Sequence, residues 1–208
     1  MKTQSRYERG SLTVTTFNTC SEETKELFRS WALSLRPELD GGEYGSDDNG
    51  EPLPHSAYLW VIEQNKSPQF RASSLYQTFI FLDKNNNEFV ATGSIVPDDR
   101  NIAKIYEIGG RGFWGFVNVR RDLRGNGIGK IVASHMDKHV QDFVDEMGEP
   151  TDFSLFTANP IAVPIYTNLG FSFVRQIHIK EFDVTEDLYT KTYVPPECLL
   201  KKTYRPAN

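Results

Sequence analysis

The sequence has only two cysteines, Cys20 and Cys198, among its 208 residues. They lie far apart and form neither a CxxC motif nor a disulfide framework, so we expect both to be free thiols. No apolar run approaches the roughly 20 residues that a membrane-spanning helix needs. Residues 1–10 lack the apolar core of a signal peptide. We therefore expect a cytoplasmic protein with no membrane partner.

Positive charge is also scarce. The chain has 23 Lys and Arg against 28 Asp and Glu, a net charge of −5, which argues against a nucleic-acid partner. Apolar residues make up 38% and charged residues 25%, values typical of a globular protein. The length predicts a single domain over residues 1–208. The oligomeric state stays open, a homodimer included.

Hydrophobic periodicity predicts a mixed α/β chain whose strands mostly belong to one sheet. A helix follows Thr19, which forms a capping box with Glu22, while Ser21 is the competing N-cap. A short helix is predicted over 58–62, and a long amphipathic helix ends at Met147, before Gly148. Strands are predicted over 12–17, 75–82, 88–96, 113–119, 153–156, 171–182 and 198–204.

The segment Glu38–Ser56 differs from the rest of the chain. It contains six acids, four glycines and two prolines but no Lys or Arg. At 19 residues it exceeds the ~12–15 residues beyond which an unstructured connection is unusual. An ordinary solvated loop is one interpretation, and a wall that attracts a cationic acceptor is the other.

The most informative segment is the glycine turn Arg124–Lys130 (RGNGIGK), between a predicted strand and the long helix. Such a turn presents main-chain N–H groups to an anion at a helix N-terminus. A Walker A loop would need glycine at Arg124 and Ser or Thr at Ile131. A dinucleotide fingerprint would need glycine at Lys130. These mismatches disfavour a nucleotide-dependent kinase or a dehydrogenase.

Two motifs instead resemble the GNAT N-acetyltransferase superfamily. Arg124, Gly127 and Gly129 fill the R-x-x-G-x-G pattern of its coenzyme A loop. The segment Asn159–Phe171 is similar to the family's N-x-x-A-x-x-L-Y-x-x-L-G-F text. The resemblance covers Leu75–Phe171. It implies a GNAT fold, with a mixed, mostly antiparallel sheet of six to seven strands, flanked by helices and splayed near the cofactor.

The resemblance also implies N-acetyl transfer from acetyl-CoA, as cosubstrate, to a small-molecule or peptide amine. Arg120 and Arg121 add local positive charge, where a phosphate contact and a solvated strand end are equally supported. The cofactor-binding residues that it implies are Val117, Val119, Arg124, Gly125, Asn126, Gly127, Gly129, Lys130 and Asn159.

Catalytic roles also follow from the resemblance. Tyr166 matches the tyrosine that serves many members as general acid; the alternative is a core aromatic. Phe113 replaces a glutamate that acts as base in some relatives, so that role cannot be carried over. Glu107, on the irregular segment before this strand, is the first candidate base, and an ordinary surface carboxylate is the alternative. Asp98 and Asp99 are further candidates.

The sequence does not support a metal site. His135 and His139 have a metal-compatible i, i+4 spacing, but the sequence offers no third ligand, so we expect a solvated helix face and no metal.

A non-catalytic acyl-CoA-binding module with the same fold remains the rival hypothesis. The missing strand glutamate and the departure from the family text at Pro164 support it. Pro164 itself predicts a helix that begins near Ala162.

Overall fold

A mostly antiparallel sheet forms the centre of the computed structural model, which describes residues 9–34, 72–97, 112–157, 159–179 and 184–198, together with Pro68. Its seven strands follow the order β1-β2-β3-β4-β5-β7-β6, and β4 with β5 is the one parallel pair among them. The predicted fold class is therefore confirmed. The strands are β1 (Leu12–Thr16), β2 (Gln77–Asp83), β3 (Phe89–Pro97), β4 (Gly112–Val119), β5 (Thr151–Thr157), β6 (Ser172–Ile179) and β7 (Val184–Tyr193).

Three α-helices lie within the described ranges: α1 (Glu22–Ser34), α2 (Ile128–Met147) and α3 (Val163–Asn168). The hydroxyl of Ser21 accepts the N–H of Thr24 at 3.2 Å, so Ser21 caps α1. The capping box predicted at Thr19 is wrong, because that hydroxyl pairs with Thr16 instead. Gly148 ends α2 in the left-handed region (φ +73°), as predicted.

The sheet separates two cores. The longer helix, α2, covers one face with a buried stripe that includes Val132, Met136 and Val140. Gly93 of β3 permits this close approach, since a Cβ there would collide with the sulfur of Met136. On the other face, α1 buries Phe28 among aromatic and aliphatic residues of β2 and β3. These two sides are called the α2 face and the α1 face below.

The C-terminal part of the prediction needs correction. The strand predicted over 171–182 is β6 (Ser172–Ile179), and residues 180–182 fall outside the described residues. The strand β7 was missed, although it lies between β5 and β6. Cys198 lies in a helical turn over 196–198 rather than in a strand, and residues 199–204 fall outside the described residues.

The helix predicted over 58–62 also falls outside the described residues. Within them, no helix combines the length and the apolar character that crossing a membrane requires.

Candidate functional site

A gap opens between β4 and β5 at the centre of the sheet. The two strands pair only over Gly112–Trp114 and Phe153–Leu155. Beyond these pairs β4 continues to Val119 and β5 to Thr157. Because neighbouring strands normally exchange main-chain hydrogen bonds, this divergence leaves main-chain groups of both strands facing the gap. The splayed sheet expected from the sequence is present.

A bulge in β4 shapes one side of this gap. Ser94 pairs with Gly115 and Thr92 with Asn118, so two steps along β3 are matched by three along β4. Such a bulge bends its strand and redirects the following groups. Val117 lies within it. Arg120 donates its N–H to the carbonyl of Val90 at 2.8 Å, and alternation along the strand therefore turns the main-chain groups of Val119 toward the gap.

A short 3-10 turn over Arg121–Leu123 connects β4 to the glycine turn. Gly125 and Gly127 have φ values of +83° and +81°, a region that favours glycine. A Cβ built on either residue would meet no atom within 4 Å, so conformation rather than crowding requires glycine and the surface above the turn is open.

The same turn begins α2. The main-chain N–H of Lys130 donates a hydrogen bond to the carbonyl of Gly127 at 3.0 Å, which closes the first helical turn. Helix geometry leaves the amides of Ile128 and Gly129 without an intrahelical acceptor, and the helix dipole makes this end positive. An open turn with free amides at a helix N-terminus fits a diphosphate group.

Side chains hold the glycine turn in place. Asn126 is only 7% exposed and donates through Nδ2 to the carbonyl of Leu123 at 3.0 Å. Arg124 donates through Nε to the carbonyl of Val119 at 3.0 Å and through Nη2 to Oδ1 of Asn118 at 3.2 Å. Sequence reasoning missed Asn118, whose signal is a single amide in an otherwise apolar strand.

Arg120 supports the end of β4. Its guanidinium pairs with Glu88 at 2.9 Å and with Asp122 at 2.8 Å, and it also donates to the carbonyl of Phe89. Between the two interpretations left open for Arg120, these contacts favour a strand-end role. Lys130 is exposed at the start of α2, beside the open surface.

The helix that carries Tyr166 lies beside the start of α2. In this helix, α3, Cδ1 of Ile165 would lie 3.6 Å from a Cβ on Gly129. The ring of Tyr166 is half-buried and meets Phe171 edge-on, with centroids 6.3 Å apart. Burial raises the pKa of its phenol to about 12. Pro164 occupies the first turn of α3, where no hydrogen bond of its own is needed, and the predicted start is correct to one residue.

Asn159 organises the turn that leads into α3. The side-chain Oδ1 of Asn159 accepts a hydrogen bond from the main-chain N–H of Ile161 at 3.0 Å, and its main-chain carbonyl accepts one from the N–H of Ala162 at 3.0 Å. The main-chain N–H of Asn159 donates to the hydroxyl of Thr157. The side chain therefore has a local structural role. Its predicted contact with the cofactor stays a prediction, like the other binding roles.

The predicted base candidates cannot be placed. Glu107, Asp98 and Asp99 lie outside the described residues, as does the acidic segment Glu38–Ser56. Phe113, which stands where some relatives have a glutamate base, lies in β4 opposite Val96.

The histidines of α2 are not on a solvated face, contrary to expectation. Both are half-buried and meet Phe79 edge-on, with centroid distances of 4.9 Å for His135 and 5.0 Å for His139. Nε2 of His139 lies 3.1 Å from the carbonyl of Leu75. In the described part of the chain, no group of His, Cys, Asp or Glu side chains is arranged to bind a metal.

Comparison with known proteins adds a family assignment. The model of the acetyltransferase (GNAT) family matches residues 43–171, more than half of the chain. No curated protein sequence gives a significant match.

Solved structures share the fold at low identity. An acetyltransferase of the GNAT family from Streptococcus pneumoniae is 18% identical, with a TM-score of 0.55 and coverage of 87% of this chain and 98% of that one. The ribosomal-protein-S5-alanine acetyltransferase from Vibrio fischeri is 15% identical, with a TM-score of 0.58 and coverage of 90% of this chain and 96% of that one. A chain of the NatC complex bound to Gag peptide and CoA is 18% identical, with a TM-score of 0.53 and coverage of 89% of this chain and 98% of that one.

Proposed function

Because this chain belongs to the acetyltransferase (GNAT) family, we propose that it transfers the acetyl group of acetyl-CoA to a primary amine of a small-molecule or peptide acceptor. One observation carries the proposal: Tyr166, the proton-donor candidate, lies on a helix packed against Gly129 of the phosphate-binding turn. The turn follows β4 and α3 follows β5, the two strands that separate after three pairs.

The chain's own groups account for cofactor binding. The amides at the start of α2 and the left-handed glycines Gly125 and Gly127 form the diphosphate site. Lys130 supplies a positive charge beside it. The main-chain groups of Val117 and Val119, along the free edge of β4, bind the pantetheine arm as an added strand would. Asn159 reaches the same arm from the opposite side of the gap.

Acyl transfer requires a positioned amine, a donor to the developing oxyanion and a proton donor for the departing thiolate. Acetyl-CoA supplies a thioester, whose carbonyl the neutral amine attacks directly. A main-chain N–H of the β4 bulge stabilises the developing oxyanion, an effect worth about 10²–10³-fold in rate for one donor. Tyr166 donates a proton to the departing thiolate. Its raised pKa keeps the phenol protonated at neutral pH.

The amine also has to lose a proton. We assign this step to Glu107, acting directly or through water, with Asp98 and Asp99 as the other carboxylates of the same segment. Their substitution with the corresponding amides identifies the base. The correct variant loses the acidic limb of the pH–rate profile, whereas a surface carboxylate leaves it unchanged.

The acceptor is proposed to carry positive charge. Six acids and no Lys or Arg in Glu38–Ser56 would attract a cationic amine through long-range electrostatics. Two structural neighbours are named for peptide or protein targets, Gag peptide and an alanine of ribosomal protein S5. Neutralising the six acids should raise KM for a cationic acceptor steeply at low salt. An unchanged KM would remove the charge from the proposal.

The decisive experiment measures thiol release from acetyl-CoA with a panel of amines, for the wild type and for Tyr166→Phe. Acceptor-dependent release that falls in Tyr166→Phe supports the proposal. Calorimetric binding of CoA without turnover of any amine supports the rival, a non-catalytic acyl-CoA-binding module. Absence of CoA binding contradicts both.

A further inference from the structure

We propose that Arg124 is a positioning residue for the diphosphate turn, and that the buried amide of Asn118 is its anchor. This inference rests on the proposed function, because the positioned groups are the amides expected to bind CoA. It assigns the selectivity for the diphosphate to main-chain N–H groups, rather than to the charge of the guanidinium.

The guanidinium of Arg124 points back at its own chain. Nε donates to the carbonyl of Val119, five residues earlier, and Nη2 donates to Oδ1 of Asn118, six residues earlier. The planar guanidinium holds its N–H groups in a rigid fork. Two bonds from one fork to two acceptors on β4 therefore fix the entrance of the turn relative to the strand.

Asn118 is suited to receive this fork. It is 7% exposed and belongs to the sheet through its pairing with Thr92. An arginine has only donors, so the amide must present its oxygen to Nη2. Because the amide is shielded from water, loss of this bond leaves a buried acceptor without its partner, which is unfavourable.

The glycine turn needs such a restraint. Gly125 follows Arg124 directly and Gly127 caps α2, and glycine loses more conformational freedom than any other residue when it is ordered. The side chain of Asn126 restrains the middle of the turn through Leu123. Arg124 restrains the start of the turn, so that the main-chain amides are already oriented for binding before the diphosphate binds.

Two substitutions of Arg124 separate position from charge. In Arg124→Gln, Nε2 stands the same number of bonds from the backbone as Nε of arginine, so the bond to Val119 is kept and the charge is lost. In Arg124→Lys the charge is kept, but the nitrogen is one bond farther out and the fork is lost. We expect Gln to weaken CoA binding a few-fold and Lys about tenfold or more, measured by calorimetry at fixed salt.

A double-mutant cycle tests the anchor. Asn118→Leu should weaken CoA binding a few-fold in the wild-type background, as Arg124→Gln does, and much less in Arg124→Gln, which already lacks the Nη2 donor. Asn118→Asp keeps an acceptor oxygen and should retain binding. Additive effects of the two positions would overturn the assignment of Asn118. If Asn118→Leu does not fold, the two Arg124 variants decide by themselves, since that side chain is exposed.

The failures are distinguishable. If calorimetry detects no CoA binding by the wild type, both the proposed function and this inference are wrong. If the wild type binds CoA, but Arg124→Lys binds as well as the wild type and Arg124→Gln binds poorly, the guanidinium acts by its charge and only the inference falls.

Discussion

The phenol of Tyr193 donates a hydrogen bond to Oδ1 of Asp137 over 2.7 Å and thereby joins β7 to α2. The same carboxylate oxygen pairs with Nζ of Lys191 at 2.5 Å. That ammonium lies 4.2 Å from the centroid of the Tyr193 ring. Tyr193 is fully buried, whereas the side chains of Lys191 and Asp137 are 17% and 22% exposed, so this polar group reaches from the core of the α2 face to solvent. It connects two elements more than fifty residues apart.

Removing the hydroxyl should destabilise the fold. Tyr193→Phe keeps the ring and loses a hydrogen bond to a charged acceptor, which is typically worth about 1.5–3 kcal/mol. Lys191 continues to pair with Asp137, so we expect the lower end of that range, read from urea unfolding at neutral pH. A free energy of unfolding equal to that of the wild type would show that the bond contributes nothing.

The same variant predicts a pH dependence. Burial, and then the charge and hydrogen bond of Asp137, raise the pKa of Tyr193 above its usual value near 10. In alkali the unfolded phenol ionises first, so this contribution is complete below about pH 10 and is lost as pH rises above it. The stability advantage of the wild type over Tyr193→Phe should therefore shrink between about pH 9 and 11. A constant difference would contradict this.

Two glycines in the same backbone region provide a matched pair for the cofactor site. Gly127 precedes α2 and Gly148 ends it, with φ values of +81° and +73°. Alanine at either position costs about 1–2 kcal/mol of strain, so both variants should melt earlier by similar amounts. Only Gly127→Ala should also weaken CoA binding, by about tenfold or more, because it moves the amides that face the anion. Equal CoA affinities for the two variants would contradict the proposed site.

Tyr166 predicts both a rate and a pH profile. Loss of a general acid typically lowers the rate about 10²–10⁴-fold, so kcat of Tyr166→Phe should fall by about 10²-fold or more with little change in KM for acetyl-CoA. With the pKa of Tyr166 near 12, the phenol stays protonated through pH 10. The wild-type kcat should therefore show no decline between about pH 8 and 10. A decline there that disappears in Tyr166→Phe would contradict the raised pKa.

Two buried serines on the α1 face predict opposite effects on stability. Ser94 donates to the hydroxyl of Thr78 at 3.1 Å, so Ser94→Ala should destabilise the fold by about 1–2 kcal/mol. Ser154 is 1% exposed, and its Oγ lacks a hydrogen-bond partner in the described structure. Ser154→Ala should therefore leave the melting temperature unchanged or raise it. A loss as large as that of Ser94→Ala would show that Ser154 has a bound partner such as water.

The local parts of the site could be predicted from the sequence. The left-handed conformations of Gly125 and Gly127 are properties of glycine itself, and the stop of α2 at Gly148 follows from the same freedom. Pro164 likewise set the start of α3, because proline tolerates the first turn and opposes later ones. Each of these signals acts within a few residues.

Other features could not be predicted because they depend on distant partners. The strand β7 has apolar residues at 184, 188, 189 and 193, which is not strict alternation, and it is a strand because β5 and β6 pair with it on either side. His135 and His139 were expected on a solvated helix face, because the sequence offers no third metal ligand. Their environment is set by Phe79 of β2, which lies far away in the sequence.

The amino-acid sequence by itself determined where the chain turns left-handed, where its long helix begins and ends, and which family it belongs to. Only the tertiary structure decided that β4 leaves β5 after three pairs, that Ile165 seats α3 on Gly129, and that Arg124 reaches back to Asn118. The difference is physical. Backbone preferences act over a few bonds, whereas the gap and the packing of α3 arise from contacts that form only when separate segments meet.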